Sequence, residues 1–292
     1  MSYKFLVALT LTSSFLSMVG ERAYAAETVC QRRDILFCED WETYGLGAPI
    51  GWEIDAERFL PDEGRVVDRP ALFGSKRALE LRISHETANP ISLRRLFKSK
   101  QGPISLRWYA RWSEGSVRDS GGTEVMDMES IDSSGRAIWL AQLTLQETDG
   151  TPEVGRPVIQ LGCGTVDHSA GQCADSALRL EQNVGDPVDI FPGRWYEFEM
   201  GIRPDLIGVP FSGEIKLWIN GKLKVYYSGD RLRKPMEIPP IHGMKISPRC
   251  ARPCGSTPRD RKVWYDNIVA AIEYIGPADV SPPSAPTNLT VK

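Results

Sequence analysis

Arg107, Tyr109 and Arg111 alternate with Leu106, Trp108, Ala110 and Trp112, so a strand over Ile104–Trp112 sets two guanidinium groups and a phenol in one row. Guanidinium forks pair bidentately with carboxylate or sulfate, and a phenol can stack on a sugar or transfer a proton; such a row could floor a groove for an acidic polymer. Gln142, Thr144 and Gln146 make a second polar row, and Gln160 belongs to a third. The simplest expectation sets these rows side by side on one wet sheet. A different chemistry lies in Glu124-Val125-Met126-Asp127-Met128-Glu129. A period-2 strand turns Glu124 away from Asp127 and Glu129, and only a bulge at Val125-Met126 would gather the three carboxylates. His168 stands between Cys163 and Cys173, where a short disulfide loop would hold it at a rim, whereas His85 and His242 have no chemical neighbours in sequence. With 3 His and no HxxH or HExxH spacing, a catalytic transition-metal site built on imidazoles is not expected.

The compartment that would oxidise such a loop is written at the N-terminus. Lys4 ends a short basic start, Phe5 to Gly20 is an apolar run too short to span a bilayer comfortably, and Ala23-Tyr24-Ala25 offers small residues for a signal peptidase. Cleavage is expected after Ala25, giving a secreted or periplasmic protein with no membrane insertion thereafter. Loss of Lys4, Glu21 and Arg22, a net +1, takes the chain from −3 to −4. The 6 cysteines fall into local couples, Cys30 with Cys38, Cys163 with Cys173 and Cys250 with Cys254. In an exported chain these read as three disulfides, although six cysteines allow about fifteen pairings. The 35 basic and 38 acidic residues are well mixed, leaving no polycationic surface for nucleic acid.

The elements that must position these side chains are strands. The 292 residues are 41% hydrophobic, with 8 Trp, and between residues 35 and 275 apolar and polar positions alternate in short stretches punctuated by Gly, Pro, Asp and Ser. The clearest strands are Ala78–Ser84, Ile104–Trp112, Ile138–Gln146, Val158–Gly162, Trp195–Arg203, Glu214–Ile219, Leu223–Ser228 and Val263–Tyr274. Asn220-Gly221 joins two of them as a type I′ hairpin. So many strands without a repeat fit one all-β, two-sheet antiparallel jelly-roll sandwich over residues 26–276, after a signal peptide 1–25. Residues 277–292 are rich in Pro and Ser and read as a linker or the opening of a fibronectin type III module.

Four stretches carry a resemblance: Leu36-Phe37-Cys38-Glu39-Asp40-Trp41-Glu42 with Gly51-Trp52, Gly193 to Glu199, Gly213 to Lys222, and Trp264 to Val269 with Tyr274-Ile275-Gly276-Pro277. They resemble secreted bacterial jelly-roll proteins of the concanavalin A-like and laminin G-like superfamily, and the last resembles the closing strand of the polysaccharide lyase-like group of alginate, glucuronan and heparin lyases. The resemblance implies a polysaccharide partner. For a lyase it implies Arg107, Arg111, Gln142 or Gln160 neutralising a uronate, with Tyr109 or His168 moving protons. For a laminarinase-like retaining hydrolase it implies the carboxylates of 124–129. It also implies a structural Ca²⁺ between first and last strands, with Glu39, Asp40, Glu42, Asp266 and Asn267 as hard oxygen donors. The lyase strand motifs Arg-x-Glu-Leu and Gln-Ile-His are absent. A carbohydrate-binding protein recognising an acidic polysaccharide through Arg107, Tyr109, Arg111, Gln142 and Gln160 therefore ranks ahead of the lyase, and the lyase ahead of the hydrolase.

Overall fold

Alternation places its polar and apolar residues on the two faces of real strands. The computed structural model describes residues 29–47, 49, 51–54, 64–72, 75–83, 92–100, 102–114, 123–131, 137–148, 151–162, 178–205, 209, 212–228, 241–246, 248 and 261–276. Residues 1–25, expected to be a signal peptide, residues 277–292, His85, His168, Cys163, Cys173, Cys250 and Cys254 lie outside the described residues. The strands are β1 Ile35–Glu39, β2 Glu53–Ile54, β3 Gly64–Val67, β4 Ala78–Ile83, β5 Leu93–Lys100, β6 Ile104–Trp112, β7 Thr123–Ile131 and β8 Ala137–Thr148. They continue with β9 Thr151–Leu161, β10 Leu178–Leu180, β11 Trp195–Arg203, β12 Glu214–Ile219, β13 Lys222–Ser228, β14 Ile241–Ile246 and β15 Arg261–Ala271. Two antiparallel sheets pack as a jelly-roll sandwich. The eight-stranded sheet runs β13-β12-β11-β6-β15-β4-β3 with β1 also on β15, and the seven-stranded sheet runs β10-β9-β8-β7-β14-β5-β2. No helix among the described residues is long and apolar enough to cross a membrane.

The core forms where the pattern demands it. Leu106, Trp108, Ala110 and Trp112 of β6 and Tyr196, Phe198, Met200 and Ile202 of β11 all face inward. The two strands pair with Trp108 opposite Phe198, and the rings stack at 5.5 Å while Trp112 meets Phe198 edge-on at 5.9 Å. Inner residues of the other sheet, among them Met126, Met128, Leu143, Leu145 and Ile159, close the same core. Asn220 and Gly221 take φ of 48° and 71° and link β12 to β13 with Ile219 opposite Lys222, the backbone a type I′ turn requires. Cys30 and Cys38 form a disulfide that ties the segment before β1 to β1 itself.

The last strand ends at Ala271, short of Tyr274, and carries a register break between Asp266 and Val269, where Asn267 has φ 45°. Before the break β15 pairs with β4, after it with β1, and β6 accompanies it along the other flank. Residues 272–276 then leave the sheet.

Candidate functional site

The row on β6 meets an opposing row on β11. Arg107 lies across from Glu199 and Tyr109 from Glu197. Arg107 is only 3% exposed, and its guanidinium donates to the Gly276 carbonyl at 2.5 Å. Glu199 accepts the backbone N–H groups of Ile275 at 2.6 Å and Gly276 at 2.9 Å, and the Tyr109 hydroxyl donates to Glu197. Burial pushes the Glu199 carboxyl up to about 7, opposed by those two N–H donors and by Arg107. The expected wet groove is thus closed at this end. The closing piece is residues 274–276, which cross the face with Tyr274 on the Trp218 ring at 4.3 Å, while the Arg32 guanidinium donates to the Tyr274 and Ile275 carbonyls.

Arg111 escapes this cover. In register it belongs to a row running Arg65, Glu80, Trp264, Arg111 and Trp195 across β3, β4, β15, β6 and β11. Its guanidinium sits 5.8 Å from the Trp264 ring centre, and its Nε is buried without a hydrogen-bond partner. Beside this pair opens a cleft of about 870 Å³ that residues 68–71 and 75–76 wall on the other side.

The carboxylates expected to hold Ca²⁺ serve different partners. Glu39 accepts the Trp41 N–H at 3.2 Å and the Tyr44 hydroxyl at 2.6 Å, and burial followed by Glu39 pushes the Tyr44 phenol up to about 12. Asp266 is fully buried, accepts the N–H groups of Asn267 at 2.8 Å and Leu72 at 3.4 Å, and bonds the Ser75 side chain. Burial raises it to about 8, and the nearby charge of Glu42 adds to the rise. Glu42, rather than Glu39, is therefore its acidic neighbour, and Glu42 accepts the N–H groups of Lys76 at 2.6 Å and Arg77 at 3.1 Å. Among the described residues no group of three or more His, Cys, Asp or Glu gathers to hold a metal.

Gln142 and Gln160 lie on the other sheet, so the polar rows do not share one face. The core separates them from Arg107 and Arg111, because Ala141, Leu143 and Leu145 of β8 point inward from the seven-stranded sheet. On its outer face one line of register crosses every strand: Glu53, Arg94, Lys245, Asp127, Gln142, Gln160 and Arg179. Gln142 donates to Asp127 at 2.8 Å, Lys245 lies 3.1 Å from Asp127 and 3.8 Å from Glu129, and Arg94 pairs with Glu129 at 2.5 Å. Burial raises the Glu129 carboxyl, opposed by Arg94 and Lys245. A register shift between Glu124 and Met126 marks a bulge at Val125, with Glu124 opposite Thr144 and Asp127 opposite Gln142 in the backbone register. Arg94, Lys245 and Arg179 were not singled out from sequence. The signal available was the polar alternation within Leu93–Lys100 and Ile241–Ile246, short stretches with a Gly or several cations that read poorly as strands.

No protein-family model matches the chain, and no curated protein sequence is similar to it. Its fold is similar to that of the alginate lyase Aly36B, which is 14% identical over 82% of this chain and 98% of that one, with a TM-score of 0.51. An Aly36B variant bound to alginate trisaccharide gives 15%, 82%, 98% and 0.51. The cellulose induced protein Cip1 is 14% identical over 82% of this chain and 99% of its own, with a TM-score of 0.54. At such identity the likeness is one of fold, a two-sheet jelly roll.

Proposed function

We propose that the protein is an exported carbohydrate-binding jelly roll that recognises an extracellular, acidic polysaccharide along the outer face of its seven-stranded sheet. The observation that carries this reading is the row from Glu53 to Arg179, seven polar residues in register over all seven strands. Seven strands span about 29 Å at the usual inter-strand spacing, long enough for several sugar units laid across the sheet. Asp127 and Gln142 at the middle of the line are buried and bonded to each other, so the groups left to meet sugar hydroxyls are Glu53, Arg94, Lys245, Gln160 and Arg179, which still offer both donors and acceptors. The similar fold of an alginate lyase and of a cellulose induced protein supports a polysaccharide partner.

A glycan array probed with the mature chain tests the reading. Retention of uronate or sulfated polymers, weakened several-fold by a combined Gln160→Ala and Arg179→Ala change, is the expected result. No retention of any glycan, or retention indifferent to that change, would remove it. The bulge at Val125 favours one second reading, hydrolysis by the carboxylates of β7, and new reducing ends would reveal it. Unsaturated products absorbing in the near ultraviolet would instead mark a lyase.

A further inference from the structure

Resting on the reading of the protein as a glycan binder, we propose that the cleft beside Arg111 and Trp264 is a second site, on the opposite side of the sandwich, that takes one sugar unit bearing a carboxylate or a sulfate ester. Its polar lining is Asp68, Arg69, Ser75, Lys76 and Arg111, three cations against one acid, in a chain whose net charge is −3. None of these three cations has an ion-pair partner among the described residues; the neighbouring carboxylate Glu80 is instead engaged by Arg65 and Lys262. Cations in threefold excess over acid along one wall are a recognition element for an anion.

The geometry narrows what kind of anion. Trp264 is held by its indole N–H, which donates to Glu80 at 2.9 Å, so the ring that carries Arg111 cannot swing away. Arg111 therefore lies over an anchored ring at the cleft, and an oxyanion with two oxygens to present, a carboxylate or a sulfate ester, can meet its guanidinium fork in two parallel bonds where a point charge would meet it in one. Pro70, Ala71 and the Trp264 ring supply apolar wall beside the cations, the combination that accepts a sugar ring bearing an acid group. At about 870 Å³ the cleft has the size of a small-ligand site, and its cations make no extended stripe for a polyanion backbone.

Calorimetric titration of the mature protein decides between the sources of the anion. The probes are a uronate trisaccharide, a sulfated disaccharide, a neutral gluco-oligosaccharide and sodium sulfate. One anionic oligosaccharide should bind with a stoichiometry of one in the cleft and weaken as salt rises, while the neutral sugar and free sulfate bind at least tenfold less well. Arg111→Gln should lower that affinity at least tenfold. Because Arg111 lies within a sheet, the exposed pair Arg69→Glu with Lys76→Glu provides a second variant, expected to give a similar loss with an unchanged melting temperature. Equal binding of neutral and anionic sugars, sulfate as tight as the sulfated sugar, or full affinity in the double variant would overturn the proposal. Polymer retention that survives the double variant yet fails with the change at Gln160 and Arg179 would leave the seven-stranded face standing while the cleft falls. Absence of all carbohydrate binding would overturn both.

Discussion

Glu199 links pH to stability through a single buried carboxyl. Its folded value of about 7 stands above the ordinary 4.5, so between those values the unfolded chain releases a proton that the folded chain keeps. Stability therefore falls as pH rises from about 4.5 to about 7 and levels off above. The contribution is on the order of 3 kcal/mol if the whole shift is realised. Glu199→Gln, which keeps an oxygen for one of the two amides and turns its NH2 toward the other, should lower stability overall but flatten that part of the profile in urea titrations at pH 4.5, 6 and 7.5. An identical slope in the variant would place the pH dependence elsewhere, Asp266 being the next carboxyl with the same sign. Asp266 also carries the calcium expectation. A melting temperature raised by millimolar Ca²⁺, and no longer raised in Asp266→Asn, would place an ion at this carboxyl; with Asp266 buried and raised to about 8, the expected result near neutral pH is no shift. A melting curve indifferent to Ca²⁺ and to chelator would dismiss the ion.

At the scale of elements, strict alternation made some strands readable to the residue. β6, β11 and β12 occur over the ranges expected, since each keeps its apolar set on one face. β7 did not advertise itself, because the bulge at Val125 puts two apolar residues side by side, and β14 breaks its period at Gly243, where an added Cβ would meet the Arg95 carbonyl carbon and oxygen. The faces within a strand were legible, whereas the sheet each strand joins was not: nothing local to Gln142 says that it lies across the core from Arg107. Burial of Arg107 was equally out of reach, as its cover arrives from a segment 169 residues away. The β12–β13 hairpin gives a prediction at this scale. The Asn220 side chain accepts the Glu197 N–H at 2.9 Å besides taking positive φ, so Asn220→Ala loses a turn preference and an acceptor together. A loss of about 1–3 kcal/mol in the urea midpoint with an unchanged m value is expected, and Asn220→Asp should restore most of it. A neutral Asn220→Ala would mean that the turn does not pin β12 and β13 to β11.

For the whole molecule, the even cysteine count and the leader make linked expectations. The Cys30–Cys38 bond is in place, and among the described residues no cysteine is free. Thiol titration of the unfolded, unreduced mature protein should find essentially no thiol, and its intact mass should start at Ala26. Two or more reactive thiols would refute the pairing of the other couples, and a mass that includes residues 1–25 would refute cleavage. The position of β15 has a temporal meaning as well. This strand, built from residues 261–271, is the neighbour of β1, β4 and β6 at once, so the eight-stranded sheet has a gap at its middle until nearly the whole chain has appeared. Long-range closures of this kind form late and slowly. A ribosome or translocon that has delivered only the first 260 residues holds two unjoined flanks, β4 with β3 on one side and β6 with β11 on the other, and β1 waiting for a partner. Until residues 261–271 are available, neither flank of the eight-stranded sheet can be joined to the other.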